Sequence, residues 1–252
     1  MKQEYRGLRP LAVASLMMIF GDAFAQAQQG QPVGTEAGKP PYNIIFVISD
    51  QRTYRLFAGD DYSLPGIDAI ARHGVTFRNH YIASAMCSPS RAAFLSGQPP
   101  QVNGVFDQMQ YDFVPALRPD LPNLGSVLKG LGYKTAYFGK FEMDKKILNP
   151  KPTVNYSTAA QPYGFDVFGA GGDIGSAPRS GFNNDPFIAG ESVRWLRETA
   201  SEARQGGRPF FMVASFVNAH DIMYGNGNIP GQPPVQVAVT PWVIPPPPAN
   251  SI

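Results

Sequence analysis

Apolar residues along this chain fall into short unbroken runs that alternate with stretches of helical spacing. Asn43 to Ser49 reads Asn-Ile-Ile-Phe-Val-Ile-Ser, a β-branched and aromatic run of the kind that forms a strand buried on both faces. Asp50 stands just past its carboxyl end. Pro65 to His73 carries apolar residues at 67, 70 and 71 ahead of Gly74, which predicts a short helix and its stop. Val75 to Tyr81 predicts a strand. Leu124, Val127, Leu128 and Leu131 recur at helical spacing before Gly132, and Lys134 to Phe138 predicts the next strand, with Lys140 at its end. Phe187 to Arg204 places Ile188, Val193, Trp195 and Leu196 on a helical period. Pro209 to Val217 then predicts another buried strand, leading into Ala219-His220-Asp221. This alternation predicts an α/β fold with a largely parallel central sheet flanked by helices, and polar residues just past strand ends are where such sheets bind ligands.

The two ends of the chain break the pattern. Lys2, Arg6 and Arg9 precede an apolar run from Leu11 to Phe20, with small residues at Ala23 and Ala25. This is the layout of a secretory signal peptide over 1–25, cut after Ala25; the run is too short for a bilayer, which needs about 20 apolar residues. Residues 26–41 are rich in Gln, Gly and Pro and predict a flexible tether. Residues 229–252 hold prolines at 230, 233, 234, 241 and 245 to 248 without helical or strand periodicity. Compact domains rarely close on such a loop, so a truncated catalytic unit over 42–252 is expected. A net charge of +2, spread along the chain, gives no basic block for nucleic acid or anionic lipid.

The single cysteine has no partner for an internal disulfide, so it is either a buried bystander or a reactive group. Cys87 lies immediately before Ser88-Pro89-Ser90-Arg91-Ala92-Ala93-Phe94-Leu95-Ser96-Gly97, which reads as a loop entering a helix. A group there meets unpaired backbone N–H donors and the positive end of the helix dipole.

Cys-x-Pro-Ser-Arg followed by Leu-Ser-Gly resembles the signature of the sulfatase family. The resemblance implies an alkaline phosphatase-like α/β fold and oxidation of Cys87 to formylglycine by a formylglycine-generating enzyme that reads Pro89 and Arg91. One hydroxyl of the hydrated aldehyde would attack sulfur and displace the alcohol. The other would lose its proton and expel sulfate by reforming the aldehyde. The resemblance also implies metal ligands at Asp50, Gln51 and position 87 for a divalent cation, calcium ahead of magnesium. It makes Arg91 the residue that holds the formylglycine and the ion site. Lys140, in Gly139-Lys140, would contact the sulfate, and His220 the sulfate ester and its leaving oxygen. Taken alone, Asp50 reads as a cap or turn residue, Arg91 and Lys140 as solvated cations and His220 as a strand-end histidine. His73 and His80 match no motif.

The match is imperfect at two places. Sulfatases commonly place His two residues after the strand-end Lys, where this chain has Glu142; Glu142 therefore faces away, pairs with Lys140 or serves a different substrate. The family's later Asp-Asn or Asp-His metal pair has no counterpart, since Asp173, Asn183, Asn184 and Asp185 occur too early and in the wrong context. The resemblance thus implies hydrolysis of small-molecule or glycan sulfate esters in the periplasm or outside the cell. Its alternatives are a phosphonate or phosphodiester hydrolase of the same superfamily and a non-catalytic remnant that retains the fold.

Overall fold

The structure is a computed structural model that describes residues 41–52 and 64–224, apart from 149, 170, 176 and 206. The expected signal peptide, the tether up to residue 40 and the proline-rich stretch over 229–252 lie outside the described residues.

Four parallel strands are present among the described residues: β1 (Ile44–Ser49), β2 (Lys134–Gly139), β3 (Val167–Phe168) and β4 (Phe210–Phe216). They lie in the order β1-β4-β2-β3, so the last strand in sequence inserts between the first two. The register sets Ser49 beside Phe216 and Gly139 beside Ser215. Because the pairs are parallel, the carboxyl ends of β1, β2 and β4 share one edge of the sheet. This is the expected α/β architecture, with the segments after Ser49, Gly139 and Phe216 delivered to one place.

Helices cover both faces. The long helix α5 (Ser180–Arg204) packs over β2 and β4, where Ile188, Trp195 and Leu196 meet Ala136, Phe138, Met212 and Ala214. After α1 (Pro65–His73), the opposite face is covered by α2 (Cys87–Ser96), with the single turn α3 (Pro100–Asn103) against it, and by α4 (Leu124–Gly130) beside β2: Ala92 and Leu95 of α2 join Tyr137, Phe211 and Val213 in the larger core. α1 buries none of its residues. Phe46 of β1 meets Phe94 of α2 edge to face, with ring centroids 5.5 Å apart. α4 starts on a reciprocal cap, in which Asn123 Oδ1 accepts the Ser126 N–H and Ser126 Oγ accepts the Asn123 N–H. α2 ends at Gly97, whose φ of 67° is the left-handed cap position that favours glycine.

Three expectations are corrected. Among the described residues β1 is an edge strand and is not covered on both faces: Phe46 and Ile48 pack inward while Ile45 and Val47 are exposed, because α5 lies over β2 and β4. Residues 75–81 form no strand, and Val75, Phe77 and Tyr81 are exposed. Strand-forming composition is not enough without a neighbouring strand that offers a ladder. The last helix begins at Ser180, ahead of the predicted Phe187, and includes Pro186. Its first turn is held from outside, since Asp221 Oδ2 accepts the N–H groups of Gly181 and Phe182. No helix among the described residues is long and apolar enough to cross a membrane.

Candidate active site

The shared strand edge gathers five of the six residues singled out in the sequence. Asp50 follows β1 and is nearly buried, and Cys87 opens α2 directly beside it, with Sγ 3.6 Å from each carboxylate oxygen. Lys140 follows β2 and is fully buried. Its Nζ sits 2.5 Å from Asp50 Oδ2, 3.3 Å from Glu142 Oε1 and 3.6 Å from Cys87 Sγ. His220 opens a short 3-10 turn after β4, and its ring nitrogen joins Asp50 and Cys87 in a cluster of donor atoms within 4.8 Å of one another. The sixth residue, Gln51, follows Asp50 in a turn with φ of 51° and is exposed.

Gly139 is what lets Lys140 reach this cluster. Its φ is 95°, and a Cβ there would collide with the Ser215 carbonyl oxygen, so only glycine lets β2 bend against β4 at this point. Arg91 then ties the pieces together from below. Its Nη1 donates to the Lys140 carbonyl at 2.5 Å, to Ser215 Oγ at 2.7 Å and to Tyr137 Oη at 3.3 Å, while Nη2 lies 3.4 Å from Asp50 Oδ2. A planar guanidinium with several fixed donors suits that task, and Arg91 is buried. It is a scaffold cation, which excludes the solvated surface role. Tyr137 Oη also donates to the Lys140 carbonyl, at 2.7 Å.

Two carboxylates with no role in the sequence reading hold the strand exits. Asp173 is buried and accepts the N–H groups of Phe141 and Glu142 at 2.8 and 2.7 Å. Asp185 does the same for Val217 and Asn218 at 2.7 and 3.0 Å. The Asp50 carbonyl accepts the Ala219 N–H at 2.8 Å, which fixes the approach of His220 to β1. The one local signal for Asp173 is an acidic residue after Gly171-Gly172; Asp185 has none, because its partners lie more than 30 residues away.

Electrostatics separates the members of the cluster. Burial alone would raise the Asp50 carboxyl, yet the Arg91 and Lys140 cations beside it hold it below its ordinary value. Burial works against the Lys140 cation as well, and the Glu142 and Asp50 carboxylates overcome it and push its pKa up. Lys140 is therefore a firmly charged cation. Burial, helped by the nearby Asp50 and Glu142 charges, pushes the Cys87 thiol up in spite of Lys140 and Arg91. His220 is pushed down by burial and by Lys140, so its ring is neutral at neutral pH.

The family model for sulfatases matches residues 42–239. The chain belongs to the sulfatase family. It is 30% identical over 168 residues to a steryl-sulfatase of Mus musculus, an alignment covering 64% of this chain and 26% of that protein. It is 28% identical over 208 residues to a Delta 4,5-hexuronate-2-O-sulfatase of Bacteroides thetaiotaomicron, covering 79% of this chain and 36% of the relative. Among solved structures, a 2-O GAG sulfatase superposes with a TM-score of 0.55 at 24% identity, covering 77% of this chain and 39% of that one. That likeness concerns the fold. This sulfatase-family chain spans about a quarter to a third of the length of those two curated relatives.

Proposed function

We propose that the protein hydrolyses sulfate esters with a formylglycine nucleophile derived from Cys87. The observation that carries this reading is the meeting of Cys87 with Asp50, Lys140 and His220 at the carboxyl edge of the sheet. The thiol itself is poorly suited to attack, because its pKa is raised and the reactive form of cysteine is the thiolate. Oxidation by a formylglycine-generating enzyme during synthesis, followed by hydration, replaces it with two hydroxyls. One attacks sulfur while the alcohol leaves with the ester oxygen. The other then loses its proton and reforms the carbonyl, breaking the bond to sulfate.

The surrounding side chains divide the remaining work. Lys140 is held as a cation by Asp50 and Glu142 and pairs with an oxygen of the sulfuryl group. His220, neutral and beside position 87, hydrogen-bonds the ester and serves the leaving oxygen. Arg91 keeps the Lys140 backbone and Asp50 in register without touching substrate.

A divalent cation fits Asp50 and position 87, which lie together, with Gln51 in the adjoining exposed turn as the further ligand. Asp50 offers a carboxylate oxygen, Gln51 an amide oxygen next in sequence, and position 87 an oxygen once oxidised; Ca2+ is favoured over Mg2+ because it accepts such mixed, flexible oxygen sets. When bound, the cation supplies positive charge to neutralise the oxyanion. Export by the amino-terminal signal places the enzyme in the periplasm or outside the cell, on small-molecule or glycan sulfate esters.

Hydrolysis of an aryl sulfate and of an aryl phosphate diester by protein purified from its native host tests this reading. Faster turnover of the sulfate, lost in Cys87→Ala, is expected. Faster turnover of the diester would assign the chain to the phosphodiester branch instead, and equal residual rates in Cys87→Ala would refute both.

A further inference from the structure

Among the described residues, one group of side chains of metal-ligand type lies close enough to share an ion: Asp50, Cys87 and His220 each bring one donor atom within 4.8 Å of the other two. Cys87 Sγ is 3.6 Å from either Asp50 oxygen. Bonds of about 2.3 Å to sulfur and about 2.0–2.1 Å to oxygen and nitrogen, set at tetrahedral angles, place the ligands of a zinc ion about 3.3–3.6 Å apart. The sulfur and the carboxylate already stand at that separation. The His220 ring reaches it by closing at most roughly 1.5 Å.

Charge and access agree with the distances. Asp50 Oδ2 is engaged by Lys140 Nζ at 2.5 Å and Arg91 Nη2 at 3.4 Å, which leaves Oδ1, 3.6 Å from the sulfur, as the oxygen for an ion. With the thiol ionised, the three negative charges of Asp50, Glu142 and Cys87 stand against the two positive ones of Lys140 and Arg91, so a dication enters a site of opposite sign. Cys87 is half-buried, which gives an ion a way in and water a fourth position. The donor set then decides the class of ion. A thiolate with an imidazole favours a borderline-soft metal such as zinc, whereas calcium and magnesium take oxygen ligands. The hard-cation set of Asp50, Gln51 and an oxidised position 87 makes no use of His220.

We propose that the chain with an unconverted Cys87 binds zinc through Cys87 Sγ, Asp50 Oδ1 and one ring nitrogen of His220, with water as the fourth ligand. Zn2+ replaces the thiol proton, which passes to solvent, and a Zn–S bond forms with no change of oxidation state. Conversion of Cys87 to formylglycine removes the sulfur and turns the same corner of the molecule from a zinc site into a calcium site. Zinc binding needs only the thiol, so it stands or falls separately from the hydrolytic reading.

Co2+ is the direct probe, because its tetrahedral thiolate complexes show a sulfur-to-cobalt charge-transfer band in the near ultraviolet and d–d bands in the visible. Protein made in a host without formylglycine-generating activity is expected to take up a single equivalent with both sets of bands, to lose them to an equivalent of Zn2+ and to keep them in about a hundredfold excess of Ca2+. In Cys87→Ser the charge-transfer band should vanish and Zn2+ affinity fall at least about 100-fold; in His220→Ala affinity should fall at least about tenfold, with the far-UV circular dichroism spectrum unchanged. Should His220→Ala fail to fold, His220→Gln carries the same test. Absence of the sulfur band, displacement by Ca2+ as easily as by Zn2+, or an affinity untouched by the loss of His220 would overturn the site. An intact thiol in protein from the native host would sink the formylglycine reading and leave the zinc site in place, so the two failures are distinct.

Discussion

The exits of β2 and β4 use the same device in different surroundings. After β2, Asp173 accepts two consecutive backbone N–H groups, those of Phe141 and Glu142; after β4, Asp185 accepts those of Val217 and Asn218. Each carboxylate replaces the ladder partners that the chain loses on leaving the sheet, and each thereby fixes a side chain of the candidate site, Lys140 in one case and His220 in the other. At the β2 exit Lys140, Glu142 and Asp173 are all buried, and burial lifts the Asp173 carboxyl to about 6. At the β4 exit Asn218 is exposed, the Asp185 carboxyl is also raised by burial, and α5 is roped in through Asp221. The cation of the site is therefore anchored in a buried network, while the histidine is anchored by a clasp nearer the surface.

The sharpest way to break this contrast is to remove the cation. Lys140→Met strands Glu142 without a counter-ion in a buried site and should destabilise the fold by about 3–5 kcal/mol, read as a shift in the urea unfolding midpoint. A change below about 1 kcal/mol would mean that the network is not a folding element.

Asp173→Asn comes next, at about 3 kcal/mol, because an amide offers one acceptor where two donors converge and sets its own donor against an N–H. The same variant carries a pH signature. A carboxyl raised to about 6 in the folded state contributes stability that is fully present below its unfolded value near ~3.9 and is lost as pH rises through about 6. That loss amounts to about 3 kcal/mol in the wild type and is absent from Asp173→Asn, so the stability gap between the two changes with pH only inside this window. Asp50 works in the opposite sense: its pKa is lowered, so its contribution is present above the unfolded value and disappears only as pH falls below it. The two effects therefore occupy separate ranges.

Asp185→Ala should be the mildest of the three, about 1–2 kcal/mol, since water can reach part of what it leaves behind. Its signature is catalytic: kcat on an aryl sulfate should fall more than stability does, because His220 loses its fixed approach. A variant that lost stability as heavily as Asp173→Asn would erase the distinction between the two exits.

Much of this was legible in the chain. Unbroken apolar runs marked β1, β2 and β4, and parallel pairing alone explains why Asp50, Lys140 and His220, each just past a strand, converge. Cys87 and Arg91 were legible because their spacing on one short helix is local. β1 was misread as doubly covered because its sequence says nothing of its place at the sheet edge, and Val75 to Tyr81 because strand propensity does not reveal whether a partner exists. Asp185 left no pattern and Asp173 only the Gly-Gly before it, because each acts on backbone about 30 residues away, where any amino acid supplies the N–H. Glu142 stood out only as a departure, and among its three open readings the structure selects the pairing with Lys140.

Mass spectrometry of the peptide containing Cys87, from protein made in its native host, tests the assigned chemistry most directly. The account predicts a residue lighter by the replacement of the thiol-bearing CH2SH group with an aldehyde, trapped by a hydrazine probe. A peptide that keeps its sulfur and alkylates with iodoacetamide would contradict it.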